Sequence, residues 1–129
     1  MGKAYLIDTS AVSRYMREEL PLWAMDLMTS ALEQSSTISI ITRIELLVYE
    51  PHDESEAEAF RTFLTESNTL SLNEVIVQQT VRIRRQHRGV KLPDAIIAAT
   101  AVANDLILLS TNDKDFGKIS GLRYRSLNS

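Results

Sequence analysis

Two spacings of apolar residues alternate along this chain. Short unbroken runs read as strands buried on both faces: Ala4 to Ile7, which stops at Asp8; Thr37 to Ile41, rich in β-branched residues; Thr69 to Leu72; and Leu106 to Leu109. Leu122 to Arg125 adds a brief last strand. Between the runs, apolar residues recur at helical steps. Thr9-Ser10 offers one helix start, and Leu20, Trp23, Leu27, Ala31 and Leu32 mark a helix from Leu20 to Glu33 with Pro21 in its first turn. Thr42 opens a helix through Leu46, Leu47 and Tyr49 that stops at or before Pro51. Asp53 to Thr65 turns Ala57, Phe60, Phe63 and Leu64 inward. Asn73 caps a helix from Glu74 to about Arg88, with Val77, Val81 and Arg84 along it and Gly89 as its stop. Leu92-Pro93-Asp94 starts the next, Ala95 to Asn104, so rich in Ala and Ile that it reads as buried on much of its surface. Strands alternating with helices predict an α/β domain: a central parallel β-sheet flanked by helices in three layers. Such sheets keep their ligands outside the carboxyl ends of the strands.

Composition narrows the function classes. The 129 residues, 44% hydrophobic and 24% charged, suit one domain covering residues 1–129. No run approaches the roughly 20 apolar residues that cross a membrane, and Lys3 followed by four apolar residues is no secretory signal. With no cysteine, that points to a cytoplasmic protein. Two histidines and no thiol exclude the usual zinc sites. A net charge of −3 argues against a dedicated basic nucleic-acid-binding module, but not against an enzyme holding divalent cations over carboxylates.

The candidate chemistry lies in the acids. Asp8 ends the first strand, Glu45 follows the second by one helical turn, and Asp113 and Asp115 follow the strand Leu106 to Leu109. Asp94 opens a helix whose preceding connection, Gly89 to Leu92, can return the chain to that same rim. Singly, each has an ordinary explanation. Asp8 and Thr111-Asn112-Asp113 suit turns, Thr42-x-x-Glu45 matches a capping box, and Pro93-Asp94 suits a helix first turn. Gathered at one rim, carboxylates repel unless a cation compensates them, and oxygen-rich sites suit Mg²⁺ or Mn²⁺.

The segments YLIDTS, TRIELL, LPDAIIAATA and LLSTNDKDF resemble, in order and spacing, the blocks of PIN-domain ribonucleases, best the short VapC-type toxins of toxin–antitoxin pairs. The resemblance runs from residue 4 to the end of the chain, and LPDAIIAATA with STNDKDF is its specific part. It implies a PIN-like fold and a Mg²⁺- or Mn²⁺-dependent endoribonuclease cutting structured RNA such as tRNA or rRNA. It also implies a homodimer and a cognate antitoxin. By motif the catalytic acids fall on Asp8, Glu45, Asp94 and Asp113. Metal ligation falls on Asp8, Asp94 and Asp113, assisted by Asp115, and Glu45 orients or deprotonates the attacking water. Thr9, Ser10 and Thr111 match hydroxyl positions behind the acids. Arg43, where many relatives have a small or apolar residue, and Glu50, where many have Gly, depart from the pattern and bear on RNA or partner contacts.

The basic run Arg82, Arg84, Arg85, His87, Arg88 and Lys91 precedes Asp94. Cations suit a helix C-terminus, but they also suit RNA phosphates, and Arg84 and Arg88, four apart, are the first candidates. Trp23, Tyr49, Phe60 and Phe63 fit packing better than base stacking. The rival readings are a non-catalytic PIN-fold binding module and a receiver-like domain that uses its acidic rim for Mg²⁺ and a partner. The receiver pattern calls for an adjacent acidic pair after the first strand, and Asp8 stands alone.

Overall fold

The computed structural model describes residues 3–129; Met1 and Gly2, the first residues of the expected domain, lie outside them. The chain forms β1 (Tyr5–Ile7), α1 (Thr9–Met16), α2 (Leu22–Gln34), β2 (Thr37–Ser39), α3 (Ile40–Val48) and α4 (Glu54–Glu66). There follow β3 (Asn68–Leu70), α5 (Glu74–Gln86), α6 (Leu92–Ala103), β4 (Ile107–Ser110), α7 (Asp113–Phe116) and β5 (Tyr124–Ser126). All strand pairings are parallel: β1 with β4, β4 with β5, and β2 with β3. The β2–β3 pair lies beside β1, so β1 stands at the centre.

Strand alternation sends the short apolar runs to two separate cores. Ile7 and Leu109 pack with Ala24, Met28, Phe60 and Phe63 of α2 and α4. Leu6 and Leu108 pack on the other face with Ile76, Ile83, Ala98 and Phe116 of α5, α6 and α7. Both faces being covered explains why the runs carry no polar alternation, and the expected three-layer α/β arrangement is found.

Several expected boundaries move, each for a local reason. The second strand stops at Ser39, whose buried side chain accepts from the Ile41 N–H at 3.0 Å and caps α3. Thr42 therefore lies inside the helix, and the expected capping box with Glu45 is not made. On α5 the buried residues are Ile76, Thr80 and Ile83, while Val77 and Val81 face outward. That helix ends at Gln86, and Gly89 is not in a left-handed conformation. Thr111 to Asp113, which suited a turn, leads into the short helix α7 (Asp113–Phe116), capped by Asn112. Trp23, expected to pack rather than stack on bases, stays 40% exposed, with the Arg125 guanidinium 5.3 Å from its ring centre.

Candidate active site

The carboxyl ends of β1, β2 and β4 lie together, and α6 brings its N-terminus to the same rim. Asp8 follows β1 directly; its N–H donates to the Leu109 carbonyl, extending the β1–β4 ladder by one residue, which fixes its side chain at the rim. That side chain is almost fully buried. Its Oδ2 accepts from Ser110 Oγ at 2.7 Å and Ser10 Oγ at 2.9 Å, and the two hydroxyls lie 3.1 Å apart. Burial pushes the Asp8 carboxyl above its ordinary pKa; the two hydroxyls and the backbone N–H groups of Thr9 and Ser10 oppose the shift.

Glu45 projects from α3 and is exposed. Its Oε1 accepts from Thr9 Oγ1 at 2.5 Å, and Thr9 Oγ1 lies 3.2 Å from Thr42 Oγ1, so α1 and α3 are tied together beneath it. The far end of α3 is fastened as well: the Tyr49 hydroxyl donates to Glu56 Oε1 at 3.1 Å under the Arg17 guanidinium, 5.1 Å from the ring centre.

Asp94, in the first turn of α6, is half-buried, and its carboxyl is raised to about 6. Burial is the first cause, followed by the charges of Asp8, Asp115 and Glu45 and a hydrogen-bonding approach to Asp115. The helix dipole, which favours an anion there, is outweighed. Four acids from separate parts of the chain therefore share one field.

Asp113 is placed differently. It is exposed and turned toward the last strand: Oδ1 accepts from the Tyr124 hydroxyl, and Oδ2 accepts from Ser126 Oγ at 3.0 Å and Asn128 Nδ2 at 2.9 Å. These bonds, the Tyr124 bond first, hold it below the ordinary carboxylate range. It is not among the acids that act on Asp94; Asp115 is. Thr111 meets the site through its backbone, its N–H lying 3.2 Å from Ser10 Oγ. Ser110 and Thr42, which sequence reasoning did not select, both belong to the hydroxyl layer under the acids. The signal for Ser110 was a hydroxyl at the end of an otherwise apolar run.

The donor set fits a hard divalent cation in kind: oxygen only, negatively charged, partly desolvated and mutually repelling. As placed, no group of three or more His, Asp or Glu side chains among the described residues is already arranged to hold an ion.

A PIN-domain family model matches residues 5–122. This chain belongs to the PIN-domain family. PIN domains generally use divalent metal ions, and those of the VapC type are generally nucleases. Solved structures similar to this PIN domain include DNA-bound VapBC from Salmonella typhimurium (TM-score 0.80, 20% identity, covering 98% of this chain and 99% of that one). VapBC2 from Rickettsia felis, bound to a promoter DNA fragment, matches with a TM-score of 0.78 at 18% identity over 95% of this chain and 98% of that one. A toxin–antitoxin complex from Klebsiella pneumoniae matches with a TM-score of 0.70 at 30% identity over 92% and 95%. A comparison with curated proteins gives no match. No described helix is long and apolar enough to cross a membrane.

The basic run divides by employment. Arg82 donates to Gln79, Gln86 and the Ser120 carbonyl, and Arg84 donates to the Val90 carbonyl at 2.5 Å, closing the α5–α6 connection. Arg85 and Arg88 are exposed; with Arg84, Thr80, Val81 and Leu92 they line a groove two residues from Asp94.

Proposed function

We propose that this PIN domain is a divalent-cation-dependent endoribonuclease, the toxin of a toxin–antitoxin pair, acting on structured RNA such as tRNA or rRNA in the cytoplasm. The observation that carries the reading is the gathering of Asp8, Glu45, Asp94 and Asp115 at the ligand-binding end of a parallel sheet, where burial and neighbouring charge raise the Asp94 carboxyl. Asp8, Asp94 and Asp115 are the residues that would hold Mg²⁺ or Mn²⁺. When bound, such an ion supplies Lewis acidity toward the scissile phosphate and its attacking water.

The remaining roles belong to the chain. Ser10 and Ser110 hold Oδ2 of Asp8 and so fix the orientation of its carboxylate at the rim. Thr9 holds Oε1 of Glu45, and the second oxygen, free of hydrogen bonds among the described residues, would take the proton of the attacking water. Arg85 and Arg88 bind phosphates flanking the cut, with Arg84 restricted by its bond to Val90.

Two surfaces support partners. Leu72, Val77, Val81 and Leu92 are exposed and, with Thr80 and Ile96, line an apolar groove that suits a second copy of the chain. A larger groove, of about 740 Å³, is lined by apolar Met16, Leu32, Ala59 and Phe63 together with the acids Glu54, Glu58 and Glu66. It suits an antitoxin segment carrying apolar anchors and cations.

A second reading, a non-catalytic PIN module, draws on the absence of a ready-made ligand group. Incubating total cellular RNA with the purified chain in Mg²⁺, Mn²⁺ or EDTA, beside Asp94→Asn, separates the two. Cuts at a few sites that need the cation and vanish in the variant are expected. Full activity of a folded Asp94→Asn protein would sink the site, and intact RNA throughout favours the binding module. Cleavage that no co-expressed partner suppresses would remove the toxin assignment and leave the nuclease.

A further inference from the structure

Trp23 is the single tryptophan of the chain, and it belongs to neither core. It stands in the first turn of α2 beside the exposed Leu22, while Ala24 and Met28 of the same helix are fully buried. A ring of this size is the side chain with most to gain from burial. Its one aromatic-type contact is with Arg125 of β5, whose guanidinium lies 5.3 Å from the ring centre. Arg125 is itself exposed. Among the described residues its guanidinium enters no ion pair, unlike those of Arg17, Arg61 and Arg123, and donates no hydrogen bond, unlike those of Arg82 and Arg84.

Strand register places the pair near the acids. β5 runs beside β4 so that Arg125 lies opposite Leu109 and Ser126 opposite Ser110. Ser110 holds Asp8, so Arg125 stands one residue below the rim. Leu109 belongs to the core under α2 and α4, whereas α5, which carries Arg85, packs on the other face. The sheet therefore has a cationic site on each face near its carboxyl end.

An exposed indole and an uncommitted guanidinium in one place match the two halves of a nucleotide. The base offers a π face to the ring, and the phosphate takes the cation. A base inside a duplex has its faces covered by its neighbours, so an unpaired nucleotide is the one that can stack there. Resting on the reading of this chain as a ribonuclease, we propose that Trp23 and Arg125 form a stacking site for an unpaired nucleotide of the RNA, across the sheet from Arg85 and Arg88. The pair directs cleavage to single-stranded stretches of structured RNA.

Trp23 is its own reporter. The test follows its emission in EDTA while the full chain carrying Asp94→Asn is titrated with a short unstructured oligoadenylate, and with an RNA duplex of equal length. Affinity is read separately from the anisotropy of labelled RNA. The oligoadenylate should quench the emission saturably, and the duplex should leave it nearly unchanged. Trp23→Ala should weaken oligoadenylate binding by about tenfold, and Trp23→Phe by less. Arg125→Gln should weaken it by about threefold. Should Trp23→Ala not fold, the quenching itself and the Trp23→Phe and Arg125→Gln variants decide. Oligoadenylate that binds by anisotropy without moving the emission, and equally well to Trp23→Ala, would overturn the proposal. Equal quenching by the duplex would overturn the preference for unpaired nucleotides. Emission that shifts only with a co-expressed protein bound would make the pair a protein contact and overturn the proposal too. Cleavage of total RNA by the chain without Asp94→Asn tells the two readings apart: cutting with a silent Trp23 removes the stacking site alone, and neither cutting nor binding removes both.

Discussion

At Asp94, partial burial and three neighbouring acids all favour the protonated side chain. Its folded-state pKa of about 6 stands above the ordinary 3.8. The folded protein therefore holds this proton more tightly than the unfolded chain, and stability falls as pH rises from about 4 through about 6. A shift of about two units is worth at most roughly 3 kcal/mol; with the group half-exposed, solvent screening reduces that to about 1 kcal/mol. In EDTA, Asp94→Asn should match the parent near pH 4 and melt a few degrees higher at pH 7.5, and saturating Mg²⁺ should close the gap by stabilising the parent alone. Equal melting temperatures at both pH values would mean that Asp94 is not under this pressure. Asp8, Glu45 and Asp94 could be picked out in the sequence because each sits at a strand end or a helix start. The different surroundings of Asp113 and Asp115 could not, because the donors that bind Asp113 lie 11 to 15 residues further on.

α5 carries the clearest gap between pattern and structure among the helices. Val77 and Val81 obey helical spacing as well as Ile76, Thr80 and Ile83 do, and periodicity alone does not say which stripe the sheet takes. The core shared with α6 takes the second, leaving Val77 and Val81 each 43% exposed beside Leu72 and Leu92. This apolar face is the surface proposed above for a second copy of the chain. Val81→Asp should leave the fold intact, since the side chain already faces water, and should convert a dimer to a monomer in sedimentation. A parent chain that sediments as a monomer at micromolar concentration would move the second copy to another face. The strands were easier to read because covering both faces leaves an uninterrupted apolar run. β2 was overextended because Ile40 and Ile41 prolong that run into a helix whose cap, Ser39, lies inside it.

Over the whole molecule, charge is divided unevenly. Residues 75–93 hold five of the fourteen Lys and Arg residues and no acid, so the rest of the chain is considerably more acidic than the net −3 suggests. On the proposed function, an RNA strand would meet this basic stretch beside the acids, because α5 leads through residues 87–91 into the helix that bears Asp94. Local field, not total charge, governs such an encounter. Arg82 and Arg84 are tied into the fold, so the proposed phosphate contacts fall to Arg85 and Arg88. Each phosphate neutralised contributes roughly −0.7 to the slope of log affinity against log salt for a single strand. In an Asp94→Asn background, which binds without cutting, replacing Arg85 and Arg88 by Gln should weaken binding to unrelated RNAs alike and flatten the slope by about one to two. The same pair of changes should leave Mn²⁺ affinity untouched, because neither residue is in the acid cluster. If the slope holds while affinity falls for one RNA only, these arginines read that RNA's bases or shape, and the phosphate contacts lie elsewhere on the molecule.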